Sequence, residues 1–157
     1  MTPVTDNMEK YQTYKTQMGR LTKAINAEFY LEAIFIEYAV FEDRLESILV
    51  HAGKFNPEKH DKISRKLSKL SEMSRNKKGL EKKYFSEELI RDIGNWKERR
   101  NLLIHALMKQ TPDYEELKEL ALQGRELLRK LDNKTKSYRR ALEKAEEKKQ
   151  QEELING

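Results

Sequence analysis

The chain contains no cysteine, which excludes both a disulfide framework and a thiolate metal site. Proline and glycine are scarce, with three and six among 157 residues, too few for the many turns of a multi-stranded sheet. No apolar run approaches the roughly 20 residues of a membrane span. Met1-Thr2-Pro3-Val4 has neither the basic nor the apolar region of a signal peptide. These absences lead us to expect a cytoplasmic protein with no membrane attachment. What the chain does have is charge, 38% of all residues. That balance suits long solvated helices, so we expect an all-α fold, in the single domain that this length can hold.

The formal net charge is +5, but its distribution is more informative than its sum. Residues 54 to 83 hold 11 Lys or Arg against 4 Asp or Glu, whereas residues 21 to 50 hold 2 against 6. The basic stretch can attract a polyanion such as RNA through phosphate contacts and counterion release, although a solvated helix face has the same composition.

Along the chain, Thr5 or Asp6 can cap a short leading helix over 5–18. Ile25, Phe29, Ala33, Ile36, Val40, Leu45, Ile48 and Leu49 recur at three and four, predicting one long amphipathic helix from 21 to 50 that ends before Gly53. Asn56 and Pro57 open a second helix, 57–74, with Ile63, Leu67 and Leu70 as its stripe. Residues 75–85 read as a flexible basic loop. Ser86, followed by Glu87 and Glu88, caps a third helix to about Lys109, with Leu89, Ile93, Trp96, Leu103 and Leu107 on one face. Thr111-Pro112 stops it and caps a fourth, which carries Leu117, Leu120, Gly124, Leu127, Leu128 and Leu131. Beyond Leu131 only Tyr138, Leu142 and Ala145 maintain a seam, so the C-terminal half of this helix is expected to protrude, to pair with a partner, or to fray. The expected organisation is an N-terminal extension (1–20), a helical domain (21–131) and a charged helical extension (132–157).

Arg100-Asn101-Leu102-Leu103-Ile104-His105 places a permanent cation, an amide and an imidazole on a helix otherwise built for burial. At 100° per residue Asn101 and His105 share a bearing one turn apart, and Arg100 stands about 140° from His105. Within one chain the three cannot converge tightly, but in a symmetric dimer two copies of the helix would bring them into a single cleft. Arginine can hold a phosphate bidentately, and histidine can move a proton to or from a ribose hydroxyl or a leaving oxygen, with no metal required. Spacing alone is a poor argument, because Arg44 and His51 nearly imitate it.

Context separates the two pairs. The all-helical pattern, the run Glu32-Ala33-Ile34-Phe35-Ile36-Glu37-Tyr38 and the later Arg100-Asn101 with His105 together resemble the HEPN superfamily. Its signature is Arg, four to six residues, then His, often with a polar residue directly after the Arg. The resemblance covers roughly residues 21 to 131. It implies a four-helix bundle and a homodimeric, metal-independent endoribonuclease without cofactor, in which Arg100, Asn101 and His105 of both protomers line one composite site. It also implies RNA as substrate, a 2′-hydroxyl as internal nucleophile, and a place among toxins or phage-defence effectors, with an antitoxin or other inhibitor protein as a further partner. In the subgroup silenced by an adenylylating antitoxin a Tyr stands two residues after the His, where this chain has Leu107.

Each reading has a plainer rival. Arg100 could instead pair with Glu37, Glu42 or Asp43 of the first long helix, beside a half-buried His105. Lys97, Arg99, Lys77, Lys78, Lys82 and Lys83 are candidate contacts to an RNA backbone, or merely solvated charges. Tyr84 and Phe85 are candidates to stack on bases; Trp96 is expected in the core. A nuclease-inactive module that binds RNA or a protein through the basic stretch is the alternative function.

Overall fold

The computed structural model describes residues 7–53, 62–76 and 78–157. They form six helices and no strand: α1 (Asn7–Asn26), α2 (Tyr30–His51), α3 (Ile63–Arg75), α4 (Glu81–Tyr84), α5 (Glu87–Ala106) and α6 (Tyr114–Asn156). The all-α expectation therefore holds. No helix among the described residues is long and apolar enough to cross a membrane.

The expected continuous helix over 21–50 is corrected: the chain breaks between α1 and α2. Glu28 adopts a positive φ of 63°, Phe29 N–H donates to the Ala24 carbonyl and Glu28 N–H to the Ile25 carbonyl. This pair of bonds is the Schellman arrangement, in which the left-handed residue satisfies the last carbonyls of the helix. Glycine normally occupies that position, and glutamate there costs roughly 1 kcal/mol. The leading helix, expected to end near residue 18, consequently runs on to Asn26 and buries Leu21, Ala24 and Ile25. Its expected caps, Thr5 and Asp6, lie outside the described residues, as do Asn56 and Pro57.

Three other boundaries differ. The basic stretch expected as a loop contains the single-turn helix α4. The third helix ends at Ala106 instead of Lys109, closing with a three-residue turn in which Leu107 N–H donates to the Ile104 carbonyl at 3.3 Å. The cap of α6 is Asp113, not Thr111-Pro112, because its carboxylate accepts the Glu115 N–H at 3.0 Å. By contrast Ser86 caps α5 as expected, its hydroxyl accepting the Leu89 N–H at 3.1 Å. The expected domain boundaries, after residues 20 and 131, fall inside α1 and α6.

The described residues divide into two compact units. The first, from Met1–Phe41 and Asn95–Leu128, holds α1, the start of α2, the end of α5 and the start of α6. Its core is Ile34, Phe41, Trp96, Leu120 and Ala121, all at or near zero exposure. The second, from Glu42–Gly94 and Arg129–Gly157, buries the stripe of α3 (Ile63, Leu67, Leu70) and also Leu45, Leu49, Phe85, Ile93 and Tyr138. There Ser74 Oγ donates to the Phe85 carbonyl at 2.6 Å and the Tyr138 hydroxyl to Glu81 Oε1 at 3.1 Å. Helix α6 is 43 residues, about 65 Å at ~1.5 Å per residue. It is buried as far as Tyr138, and every residue from 143 onward is exposed.

In the first unit, α6 approaches its neighbours closely where it has no side chain. A Cβ built on Gly124 would lie 2.5 Å from Glu37 Oε1 and 2.9 Å from Trp96 Nε1. Alanine would gain roughly 1 kcal/mol of helix propensity, but overpacking a filled site costs ~1–3 kcal/mol, with an indole and a carboxyl to displace. Gly124→Ala is therefore expected to lower stability by about 1–2 kcal/mol, against its propensity. Urea unfolding followed by the fluorescence of Trp96, the chain's one tryptophan, measures it.

Candidate functional site

Arg100, Asn101 and His105 lie in the last two turns of α5, within the first unit. Arg100 is half-buried, and its guanidinium carbon sits 4.0 Å from the Tyr38 ring centroid and 5.4 Å from that of Phe35. Both rings come from α2. A guanidinium over aromatic faces gains cation–π attraction without losing its charge. Its Nη1 donates to Asn101 Oδ1 at 3.0 Å, so Asn101 fixes the tilt of the group. Arg100 Nε is buried with no hydrogen-bond partner.

None of the carboxylates offered by the plainer reading pairs with Arg100. Asp43 is 2.7 Å from Arg44, Glu42 is 3.7 Å from Lys66, and Glu37 accepts no hydrogen bond at either oxygen. Arg100 thus carries an un-neutralised cation with donors to spare, the condition for holding a phosphate oxygen. His105 is exposed at the end of α5 and makes no hydrogen bond among the described residues. The structure brings Arg100 and Asn101 into contact and leaves His105 one turn away. Among the described residues no three His, Asp or Glu side chains gather as a metal ion would need.

The remaining sequence candidates separate by burial. Lys97 is buried, its ammonium 2.9 Å from Glu98, and Arg99 Nη1 donates to Gln123 Oε1 at 2.7 Å. Both are engaged within the first unit. Lys78, Lys82 and Lys83 are exposed in the second unit; Lys77 lies outside the described residues. Phe85 is corrected from a base-stacking candidate to a core residue: it is fully buried, edge-on to Tyr138 at 5.1 Å. Tyr84 is half-buried, its ring 6.0 Å from the same tyrosine. The Tyr138 phenol is raised, by burial first and then by the Glu81 carboxylate it faces. Trp96 is core as expected, its Nε1 donating to the Leu120 carbonyl at 2.9 Å.

Sequence reasoning offered Glu37 only as a salt-bridge partner, and the structure gives it a different part. Its side chain is fully buried, wedged where α6 presents Gly124 and α5 presents Trp96. Burial pushes its carboxyl up to about 9, and Arg125 pulls the other way without restoring the usual value. It is therefore a neutral acid at pH 7. The signal was in the sequence: Glu37 is the only charge between Ala33 and Phe41, at helical spacing from Ala33, Val40 and Phe41.

This has a pH consequence. The folded carboxyl holds its proton up to about pH 9, whereas the unfolded one loses it near 4.5. Between these values the native state binds more protons, so stability is greatest below the lower limit and falls as pH rises through the higher. Glu37→Gln, which keeps the shape and cannot ionise, is expected to flatten that decline and to raise stability at pH 8 by at least ~1 kcal/mol. Thermal melts from pH 5 to 9 compare the two proteins.

Comparisons with known proteins find no matching family model, no matching curated relative and no matching solved structure, so the site is read from its own geometry.

Proposed function

We propose that the protein is a metal-independent endoribonuclease of the HEPN type, acting as a homodimer on RNA in toxin-like growth control or phage defence. The observation that carries this reading is the un-neutralised guanidinium of Arg100. It is aligned by Asn101 and laid on Tyr38 and Phe35, while Asp43 and Glu42 pair with Arg44 and Lys66 and Glu37 is neutral. A structural arginine in a helical core is ordinarily paired. This one is oriented by Asn101 and has no carboxylate partner among the described residues, which leaves its charge for an anion. Exposed apolar side chains on the same two helices, Leu102 at 71% and Phe35 at 46%, support an interface with a second copy, which the composite site requires.

In that site Arg100 holds the scissile phosphate and stabilises charge developing on its oxygens. One His105 takes the proton from the ribose 2′-hydroxyl as its oxygen bonds to phosphorus; the other gives a proton to the departing 5′-oxygen as that bond breaks. Asn101 keeps the guanidinium in register. The same chain could bind RNA without cutting it, through the exposed Lys78, Lys82 and Lys83 around α4, and loss of the two motif residues tells these functions apart.

Protein purified free of trace nucleases is expected to cut single-stranded RNA. The Arg100→Ala, His105→Ala double variant is expected to lose about 100-fold or more of that activity while keeping the wild-type Trp96 emission. Equal degradation by both proteins would end the enzymatic reading, and unchanged RNA binding without cleavage would leave the binding module in its place.

A further inference from the structure

A second feature of the first unit stands apart from Arg100. The turn that breaks α1 from α2 and the first turn of α6 enclose an open cleft of about 320 Å³, lined by Glu28, Phe29, Tyr30, Leu31, Glu32, Tyr114 and Leu117. That is at the lower end of the roughly 300–1,000 Å³ of small-molecule sites. Tyr30 and Tyr114 meet edge to face, with centroids 5.4 Å apart. Tyr30 is buried, Tyr114 is about half exposed, and Phe29 stands 62% exposed at the rim. Three aromatic rings therefore contribute to one small opening. The wall includes two carboxylates, Glu28 and Glu32, and no Lys or Arg.

The surrounding sequence has the same sign. Residues 28–32 and 113–119 carry six carboxylates against Lys118 alone. The Tyr114 phenol is pushed up to about 12, first by desolvation and then by the Tyr30 hydroxyl and the Glu28 carboxylate. An anionic ligand, RNA included, is repelled by such a wall. A neutral apolar ligand would gain from the rings but leave the carboxylates unused. An organic cation satisfies both, since its charge meets the carboxylates and ring faces while its alkyl stem covers Leu31 and Leu117.

We propose that this cleft binds an alkylammonium or guanidinium group, with Tyr30, Tyr114 and Phe29 as the aromatic walls and Glu28 and Glu32 as the counter-charges. The group is either the end of a free polyamine or a Lys or Arg side chain of another protein. Nothing in this assignment depends on the nuclease reading.

The test is a titration of the full ¹⁵N-labelled chain with spermidine and, separately, with N-acetyl-arginine amide, following the backbone amides of residues 28–32 and 114–117. Pentanol serves as the neutral control. Saturable shifts at these amides with either cation, absent with pentanol, are expected, and the tighter of the two names the source. Glu28→Gln with Glu32→Gln is expected to weaken that binding by more than tenfold while the other amides keep their positions. If the double variant does not fold, added KCl is expected to weaken binding to the wild type in the same direction. Shifts that never saturate, that pentanol reproduces, or that neither the substitutions nor the salt diminishes, overturn the proposal.

Discussion

Trp96 Nε1 donates to the Leu120 carbonyl at the place where α6 carries Gly124 and α2 inserts Glu37, and the first unit is arranged around that junction. A buried indole N–H must find an acceptor, and here it takes one from the backbone of α6, which fixes the separation of α5 and α6. The missing Cβ of Gly124 then leaves room for a carboxyl that has no partner of its own. Phe41 lies against the same indole at 4.9 Å, so α2 is held from both sides. The register of α2 against α5 follows, and with it the position of Tyr38 and Phe35 under Arg100.

Among the described residues of this unit, two buried polar groups lack partners, the Glu37 carboxyl and Arg100 Nε. Opposite charges in one core usually relieve one another. Here the acid is relieved by protonation instead, and the cation by aromatic faces and an amide. The difference matters chemically: an Arg100 neutralised by a carboxylate would have little left to offer a phosphate, whereas one laid on Tyr38 keeps its charge.

Much of the architecture was legible in the sequence because it rests on local chemistry. Ser86 before two glutamates marks a helix start, and the Ile63, Leu67, Leu70 stripe marks a buried face. The break at Glu28 was not legible, because the left-handed position is filled by glutamate in place of glycine or asparagine, and Phe29 happens to continue the apolar period. Phe85 was misread for a related reason. Its lysine-rich neighbours suggest a loop, and only the tertiary contacts with Ser74 and Tyr138 put it in a core. At the candidate site the residue types and spacing could be read directly. That Arg100 would be left unpaired could not, since it depends on where Glu37, Glu42 and Asp43 find themselves after folding.

The central claim, that Arg100 and His105 cut RNA by internal transfer, is tested most directly by the chemistry of the ends produced. Products from a defined RNA, generated in the presence of EDTA and separated by mass spectrometry, are predicted to carry cyclic 2′,3′-phosphates and free 5′-hydroxyls. Products with 3′-hydroxyls and 5′-phosphates, formed only when EDTA is omitted and a divalent ion supplied, would contradict it.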